Sequence, residues 1–377
     1  MSPIRGPGPP PTTTLTTVTS RPALDDLHAI VPAGGSGTRL WPLSRQARPK
    51  FLLDLLGDGR TLLQQTWDRL EDLVGPDRIH VVTGIAHTSG VREQLPDLSH
   101  LVVEPSPRDS MPAIAVAAAI IAETDPDAII GSFAADHVID DHAAFADAVA
   151  QAVVAARTGL LVTIGITPAS PSTAFGYIEG GDPLEVDGAP AALTVRRFVE
   201  KPDLPTAQEY VASGAFSWNA GMFVVRASVL LDHLARLQPT LHDGVREIAR
   251  SWRTAQQDLV LARIWPTLTK IAIDHAIAEP VSLEGGMAVV PGRFGWDDIG
   301  DFAALADVGA ASSPGTIFVD ADGLVISGDD TTVAVVGLHD VVIARTADAL
   351  LVTTREHSQR VKEVSAALQE LGRADLQ

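Results

Sequence analysis

The residues best suited to chemistry stand close together early in the chain: Ala33-Gly34-Gly35-Ser36-Gly37-Thr38-Arg39, continued by Leu40-Trp41-Pro42-Leu43-Ser44 and by Arg48-Pro49-Lys50. An apolar run, His28–Ala33, leads into a loop with glycine at three of four positions. Without a Cβ in the way, backbone N–H groups can approach an anion closely. Arg39 follows at once and Lys50 lies on the same connection, so two cations can close over a polyphosphate. Two common phosphate loops are excluded. A Walker A loop requires Lys directly after its last glycine, where Thr38 stands. A dinucleotide fingerprint requires Gly or Ala at the position that Leu40 occupies.

Two carboxylates join this set. Asp136 follows the apolar run Ala128–Phe133, and the mouth formed by strand ends is where open α/β sheets bind ligands. Asp298 follows Gly295-Trp296 in a tight loop. Two carboxylates that leave the remaining coordination to water and substrate phosphates are the usual way to hold Mg2+. Asp136, His137, Asp140, Asp141 and His142 also mimic a metal cluster. The stronger reading makes Asp140 or Asp141 the cap of a helix beginning near Ala143. Only four of the 28 basic residues are lysine: Lys50, Lys201, Lys270 and Lys362. A compact ammonium is not interchangeable with guanidinium, which draws attention to lysines within motifs.

These groups must be held by an α/β domain, because apolar strand-like runs alternate with helical patterns through the first two-thirds of the chain. Strands are expected at His28–Ala33, Ile79–Thr83, Leu101–Val103, Ala128–Phe133 and Leu160–Ile166. Helices are expected at Thr61–Val74, Ala113–Ala122 and Ala143–Ala156. After Ala174 the runs Phe175–Glu179, Val195–Phe198 and Gly221–Val225 read as strands of an inserted, substrate-facing layer. Beyond Gly315, five short β segments recur every eight to ten residues, predicting a small all-β coil or meander closed by a helix over Ser358–Leu371. The organisation expected is a tail over 1–24, a catalytic domain over 25–310 and a C-terminal β domain over 311–377.

Composition narrows the function. A net charge of −19 argues against nucleic acid or an anionic membrane as partner. No apolar run reaches the roughly 18 residues of a membrane span. The absence of cysteine removes disulfides, thiolate catalysis and cysteine zinc sites, and fits a cytoplasmic protein. The Pro- and Thr-rich start has neither a signal-peptide pattern nor enough apolar content to pack, so disorder is expected to about Leu24.

The Gly-x-Arg-Leu-Trp-Pro-Leu-Ser and Pro-Lys elements resemble the signature of the nucleotide-diphospho-sugar pyrophosphorylases, specifically the mannose-1-phosphate guanylyltransferase branch. The likeness runs from about His28 to the C-terminal helix. Glu104-Pro105-Ser106-Pro107-Arg108-Asp109-Ser110, Asp136-His137, Glu200-Lys201-Pro202, Trp218-Asn219-Ala220-Gly221 and Trp296-Asp297-Asp298-Ile299-Gly300 are similar to further motifs of that branch. The resemblance implies a Rossmann-like, mixed but largely parallel sheet flanked by helices, with a short β-helix-like C-terminal domain. It also implies transfer of GMP from GTP to α-D-mannose 1-phosphate, giving GDP-mannose and pyrophosphate.

On this reading Ala33, Gly34, Gly35, Ser36, Gly37, Thr38, Glu104, Arg108 and Asp136 bind nucleotide. Arg39 neutralises the pyrophosphate, Lys50 steadies the α-phosphate and Lys201 holds the sugar phosphate. Gly176, Glu179 and Asn219 meet the sugar, and Asp136 with Asp298 holds Mg2+. Two departures from the branch pattern touch specificity: Ala174-Phe175 replaces Gly-Tyr, and Asp109 stands where Asn is commoner. The alternatives are another base and sugar, such as glucose 1-phosphate with UTP, ATP or dTTP, or a catalytically silent nucleotide-sugar sensor. Many relatives in the branch carry a fused isomerase barrel; the stretch after residue 315 has no suitable histidine cluster, so no isomerase activity is expected. Oligomeric state is left open, a homodimer included.

Overall fold

The structure, a computed structural model, describes residues 24–35 and 37–377. Of the expected tail, residues 1–23 lie outside the described residues, as does Ser36 of the glycine loop. Leu24, assigned to the tail, belongs instead to the folded body. Its side chain is only 3% exposed, because it packs into the apolar layer with Leu27 and Val74.

Among the described residues, the strands in chain order are β1 (Leu27–Ala33), β2 (Ile79–Gly84), β3 (His100–Glu104), β4 (Ile129–Ser132), β5 (Val138–Ile139), β6 (Leu161–Ile166), β7 (Tyr177–Pro183), β8 (Leu193–Val199), β9 (Phe216–Arg226), β10 (Met287–Gly292) and β11 (Trp296–Asp297). Nine of them form one sheet in the order β3-β2-β1-β4-β9-β6-β10-β8-β7. The pairings β1–β2, β2–β3, β1–β4 and β6–β10 are parallel, whereas β9 runs against β4, β6 and β7, and β8 runs against β10 and β7. This is the mixed, largely parallel α/β sheet expected.

Apolar side chains cover both faces. One layer joins the helices Leu62–Val74 and His142–Ala156 to the sheet; the other joins Ser110–Ala122, Ala227–Leu237 and Pro239–Ser251. Local signals explain several ends. Thr61 closes a capping box with Gln64, a device worth about 1 kcal/mol. Asp141 accepts from the Ala144 N–H at 2.9 Å, so it is the helix cap that the acidic run concealed.

The strands after Ala174 do not form an inserted layer. β9 lies in the middle of the main sheet, between β4 and β6, and β7 and β8 extend the same sheet to its edge. Buried residues on both faces of β9, Phe216 and Trp218 on one layer and Phe223 and Val225 on the other, require a central position.

The C-terminal strands are β12 (Thr316–Val319), β13 (Gly323–Ser327), β14 (Val333–Val336), β15 (Val341–Arg345) and β16 (Leu350–Thr354). β12 pairs with β14 and β13 with β15, both in parallel, which is the stacking of a coil rather than a meander. β16 closes the second sheet antiparallel to β15. Leu324, Val342 and Leu351 from this unit share one apolar cluster with Leu40 and Ile299, the residues that follow Arg39 and Asp298. No helix among the described residues is long and apolar enough to cross a membrane.

Candidate active site

The carboxyl ends of β1, β2, β3 and β4 open onto a cavity of about 470 Å³, lined by Ala33, Gly34, Gly35, Glu104, Arg108 and Asp136 among others. Sheet order gives the cavity its length. Asp136 follows β4 and Glu104 ends β3, three strand spacings away, or roughly 14 Å at ~4.8 Å each. That is the span of a nucleotide stretched from α-phosphate to base.

At the β1–β4 end the loops interlock. The chain beyond β4 continues along β1, with the Ala135 N–H donating to the Pro32 carbonyl at 3.2 Å, and this fixes Asp136 beside the glycine loop. The short pair β5–β11 sets Asp297 opposite Val138 and so brings the Asp298 loop alongside. Lys50 fills the gap. Its ammonium lies 2.7 Å from Asp136 Oδ2 and donates to the main-chain carbonyls of Asp298 and, at 3.4 Å, Ile299. An ammonium has three N–H bonds, and each is committed here. Lys50 therefore ties the two acidic loops together in this state, with no N–H left for the α-phosphate.

Gly37 makes that position accessible. It has φ of 61°, and a Cβ there would stand 2.8 Å from the Lys50 Cβ. Thr38 opens the 3-10 turn Thr38–Leu40 that carries Arg39. Arg39 Nε is buried without a hydrogen-bond partner, and its charge falls on Asp298. Ile299, a β-branched residue at φ 41°, is strained backbone, held by a 2.6 Å hydrogen bond from its N–H to Asp297 Oδ1.

Burial opposes the charge on Asp136, but Lys50 and His137 outweigh it, and its pKa lies below the ordinary value. Asp298 goes the other way, raised by burial and then by the charge of Asp136, against which Lys50 works. The donor set tests whether magnesium fits. Two mutually repelling carboxylates offer only hard oxygen ligands, and no group of three or more His, Asp or Glu side chains competes among the described residues. Such a pair suits a hard dication whose shell is completed by phosphate oxygens. Neighbouring His137 stays neutral: burial pushes it down to about 4, and its Nδ1 accepts from Trp296 Nε1 at 3.2 Å.

At the β3 end Glu104 is half-buried, and burial pushes its carboxyl up to about 7. Its Oε1 is shut from solvent with no hydrogen-bond partner. Arg108 lines the same wall, but its terminal nitrogens donate to the carbonyls of Leu268 (3.0 Å) and Pro266 (2.6 Å), so its guanidinium braces the wall. Asp109, at φ 70°, caps the following helix by accepting from the Ser110 N–H at 2.9 Å. With ψ at −176° this is a sparsely populated, strained backbone conformation outside the αL region, and the side-chain cap helps to hold it.

Of the residues expected to meet the sugar, Gly176, Asn219 and Lys201 stand in a second cluster. Asn219 Nδ2 donates to Asp274 Oδ1 at 2.8 Å, and its Oδ1 accepts from the Thr163 hydroxyl at 2.9 Å. Lys201, at φ 45°, pairs with Glu200 at 2.6 Å. Gly176 leaves room for the Glu200 carboxylate, since a Cβ there would fall 2.5 Å from Glu200 Oε2 and make that side chain shift. Burial works to lower the Lys201 pKa, but its hydrogen bond to Glu200 and the charges of Glu200, Asp274 and Asp109 together outweigh burial and raise it. Asp274 is pushed up to about 6 by burial and by the charge of Glu200. Asp109, on the cavity wall, adds to the field at Lys201, so the two clusters adjoin.

Glu179 is not brought to this cluster. Its carboxylate pairs with Arg197 at 3.3 Å, and that guanidinium lies over the rings of Tyr210 and Phe216. Glu200 and Asp274 take the acidic positions instead. Glu200 was legible beside Lys201 in its motif; Asp274 shows only as a single acid within the run Ile271–Ala278.

A parallel-sheet mouth with a glycine loop, paired acids and an adjoining polar pocket defines a nucleotidyl transferase, and the chain belongs to that family, whose model, described as "Nucleotidyl transferase", matches residues 28–313. A second family model, "MannoseP isomerase/GMP-like beta-helix domain", matches residues 315–368. Within the family, the chain is 38% identical over 366 residues to the xanthan biosynthesis protein XanB of Xanthomonas campestris pv. campestris (strain B100), covering 93% of this chain and 75% of that protein. It is 36% identical over 370 residues to the mannose-1-phosphate guanylyltransferase of Escherichia coli (strain K12), again covering 93% and 75%. A crystal structure from Thermus thermophilus, described as a mannose-1-phosphate geranyltransferase, is similar with a TM-score of 0.81 at 30% identity, over 91% of this chain and 99% of that one.

Proposed function

We propose that the protein transfers GMP from GTP to α-D-mannose 1-phosphate, releasing pyrophosphate and forming GDP-mannose. The observation that carries the choice of base is Glu104. A half-buried carboxylate with an unpartnered oxygen, at nucleotide length from Asp136, matches the N1–H and N2–H donors on one edge of guanine. The broad terminal torsion of Glu lets both oxygens turn to that edge. Adenine presents an acceptor at N1, and uracil and thymine have a single ring N–H to offer. The choice of mannose rests on the named relatives, including the Escherichia coli enzyme.

In the reaction, a phosphate oxygen of the sugar 1-phosphate attacks the α-phosphorus of GTP in line. The bond from that phosphorus to the bridging oxygen breaks, and pyrophosphate leaves with the electron pair. The backbone at Gly34–Gly35 receives the phosphates and Arg39 meets the charge developing on the leaving group. Lys201, with Glu200, Asp274 and Asn219, orients the incoming sugar phosphate. Lys50 keeps the Asp136 and Asp298 loops in register. Asp136 and Asp298 would hold magnesium, which when bound offsets the repulsion between two anionic reactants. A cytoplasmic location goes with this reading.

The deciding assay measures pyrophosphate release with GTP, UTP, ATP and dTTP, each with mannose 1-phosphate and glucose 1-phosphate. Release fastest with GTP and mannose 1-phosphate, and abolished by chelation, is the expected result. A different preferred pair refutes the specificity, and binding of GDP-mannose without turnover by any pair refutes catalysis.

A further inference from the structure

Lys270 lines the cavity that Glu104 lines, yet none of the functions above employs it. Lys50 and Lys201 are ion-paired, at 2.7 and 2.6 Å. Lys270 has no hydrogen bond or ion pair among the described residues, and its side chain is exposed. In a chain of net charge −19 with 47 acidic residues, an unpaired ammonium inside a ligand cavity is a donor without an acceptor.

Its place along the cavity is fixed by the main chain. The Ile271 N–H donates to the Arg108 carbonyl at 3.3 Å, and the Ile271 carbonyl accepts from the Met111 N–H at 3.1 Å. Lys270 is thereby held beside Arg108, at the base end of the cavity rather than beside the glycine loop.

That end needs a donor. A carboxylate can serve the N1–H and N2–H groups of guanine, but the adjacent O6 is an acceptor. Arg108 has spent its terminal nitrogens on Pro266 and Leu268, and its Nε is shut from solvent. His87, also on the wall, has Nε2 2.9 Å from the Gln46 carbonyl. That nitrogen must carry an N–H, so this donor is spent on the main chain. Lys270 is the cation left with free N–H bonds.

We propose that Lys270 determines base specificity by donating to O6 of guanine while Glu104 accepts from N1–H and N2–H. Adenine inverts both contacts, placing an amino group against the ammonium and a lone pair against the carboxylate. This rests on guanylyl transfer being the reaction. Polar groups left facing the wrong partner discriminate more strongly than a small difference in shape.

The test compares wild type with Lys270→Met in pyrophosphate release from GTP, 6-thio-GTP and ATP with mannose 1-phosphate. The sulfur of 6-thio-GTP is a poor acceptor, while its N1–H and N2–H groups are unchanged. Lys270→Met is expected to lose about 10- to 100-fold in kcat/KM with GTP, the scale of a hydrogen bond to a charged group. The loss should be several-fold smaller with 6-thio-GTP, and the GTP-over-ATP preference should fall. Because Lys270 is exposed and unpartnered, the melting temperature should not move. An equal loss with all three nucleotides would place the ammonium on ribose or phosphate and overturn the proposal, as would no loss with GTP. A wild-type protein that does not prefer GTP removes the guanylyl reading itself, whereas a GTP-preferring wild type with an unaffected variant removes only the role of Lys270.

Discussion

The indole N–H of Trp41 donates to the carbonyl of Leu376 at 2.8 Å, joining the glycine-loop connection to a residue 335 positions further on. Two neighbours reinforce the joint: the Gln46 N–H donates to the Gln377 carbonyl at 3.1 Å, and Arg45 reaches Asp348 at 2.8 Å. Arg45 also lies over the Trp41 ring, 5.3 Å from its centre. The loop that carries Arg39 and Lys50 thus rests on the C-terminal segment, and Leu40 is buried against the coil strands. The C-terminal unit braces the connection that carries Arg39 and Lys50.

Trp41→Phe keeps most of the ring burial and removes the hydrogen bond. It should cost about 1 kcal/mol in urea denaturation and lower kcat several-fold, with little change in the KM for sugar phosphate. Stability lost at full kcat would show that the joint does not hold the loop in its working position.

Lys50 makes the sharpest electrostatic prediction. Lys50→Met leaves Asp136 and Asp298 facing each other without the cation between them. Because a quarter of the Asp136 side chain reaches solvent, the cost should be about 3 kcal/mol, the low end for a broken buried pair. The rate should fall by roughly 10²–10³. A free divalent cation should then stabilise the variant more than the wild type, since it relieves a repulsion that Lys50 already relieves in the latter. Equal shifts in melting temperature with added magnesium would contradict this account of the two acids.

Much of this arrangement is written in the sequence, and the exceptions have physical causes. The glycine loop, the strands that flank it and the helix ends at Thr61 and Asp141 are local features, set by Cβ absence, apolar runs and side-chain caps. β9 is harder to place. Ser217, Asn219 and Gly221 interrupt its apolar pattern, so it reads as a peripheral strand although both its faces are covered. Choosing between Glu179 and Glu200 is harder still. The β7–β8 pairing shifts register between Glu179 and Gly180, and a bulge cancels the alternation by which sequence assigns a side chain to a face. Asp274 and Lys270 reach the site only through the packing of a distant segment, which no local pattern encodes.

The pH dependence of nucleotide binding should follow Glu104. With its carboxyl held at about 7 by burial, the group is largely protonated at pH 6 and largely ionised at pH 8. Only the ionised form accepts from both guanine donors, so GTP affinity should rise across that interval. Stability of the free protein has the opposite sign. A carboxyl whose folded pKa is raised contributes stability that is fully present below its unfolded value near 4.5 and is lost as pH rises through about 7. Titration calorimetry with GTP at pH 6, 7 and 8 measures the first effect. Glu104→Gln should flatten the profile; a variant that keeps the wild-type slope would move the titration to another group.

The contrast between Glu200 and Glu179 separates the sugar site from the sheet that carries it. Glu200 holds Lys201 at 2.6 Å, adds to the burial that raises Asp274 to about 6 and fills the space that Gly176 leaves open. Glu200→Gln keeps the shape but weakens the grip on Lys201 and lets Asp274 ionise more readily. Its kcat/KM for mannose 1-phosphate should fall about 10- to 100-fold, mostly through KM, while the KM for GTP stays near the wild-type value. Glu179→Gln gives up an ion pair with a half-exposed arginine, a contact worth about 0–1 kcal/mol, and should change kcat/KM by less than about threefold. Steady-state kinetics on the two variants decide between these positions. If Glu179→Gln loses sugar affinity and Glu200→Gln does not, the Arg197 pairing must give way when substrate binds, and the residue assigned to the sugar from sequence would be the correct one.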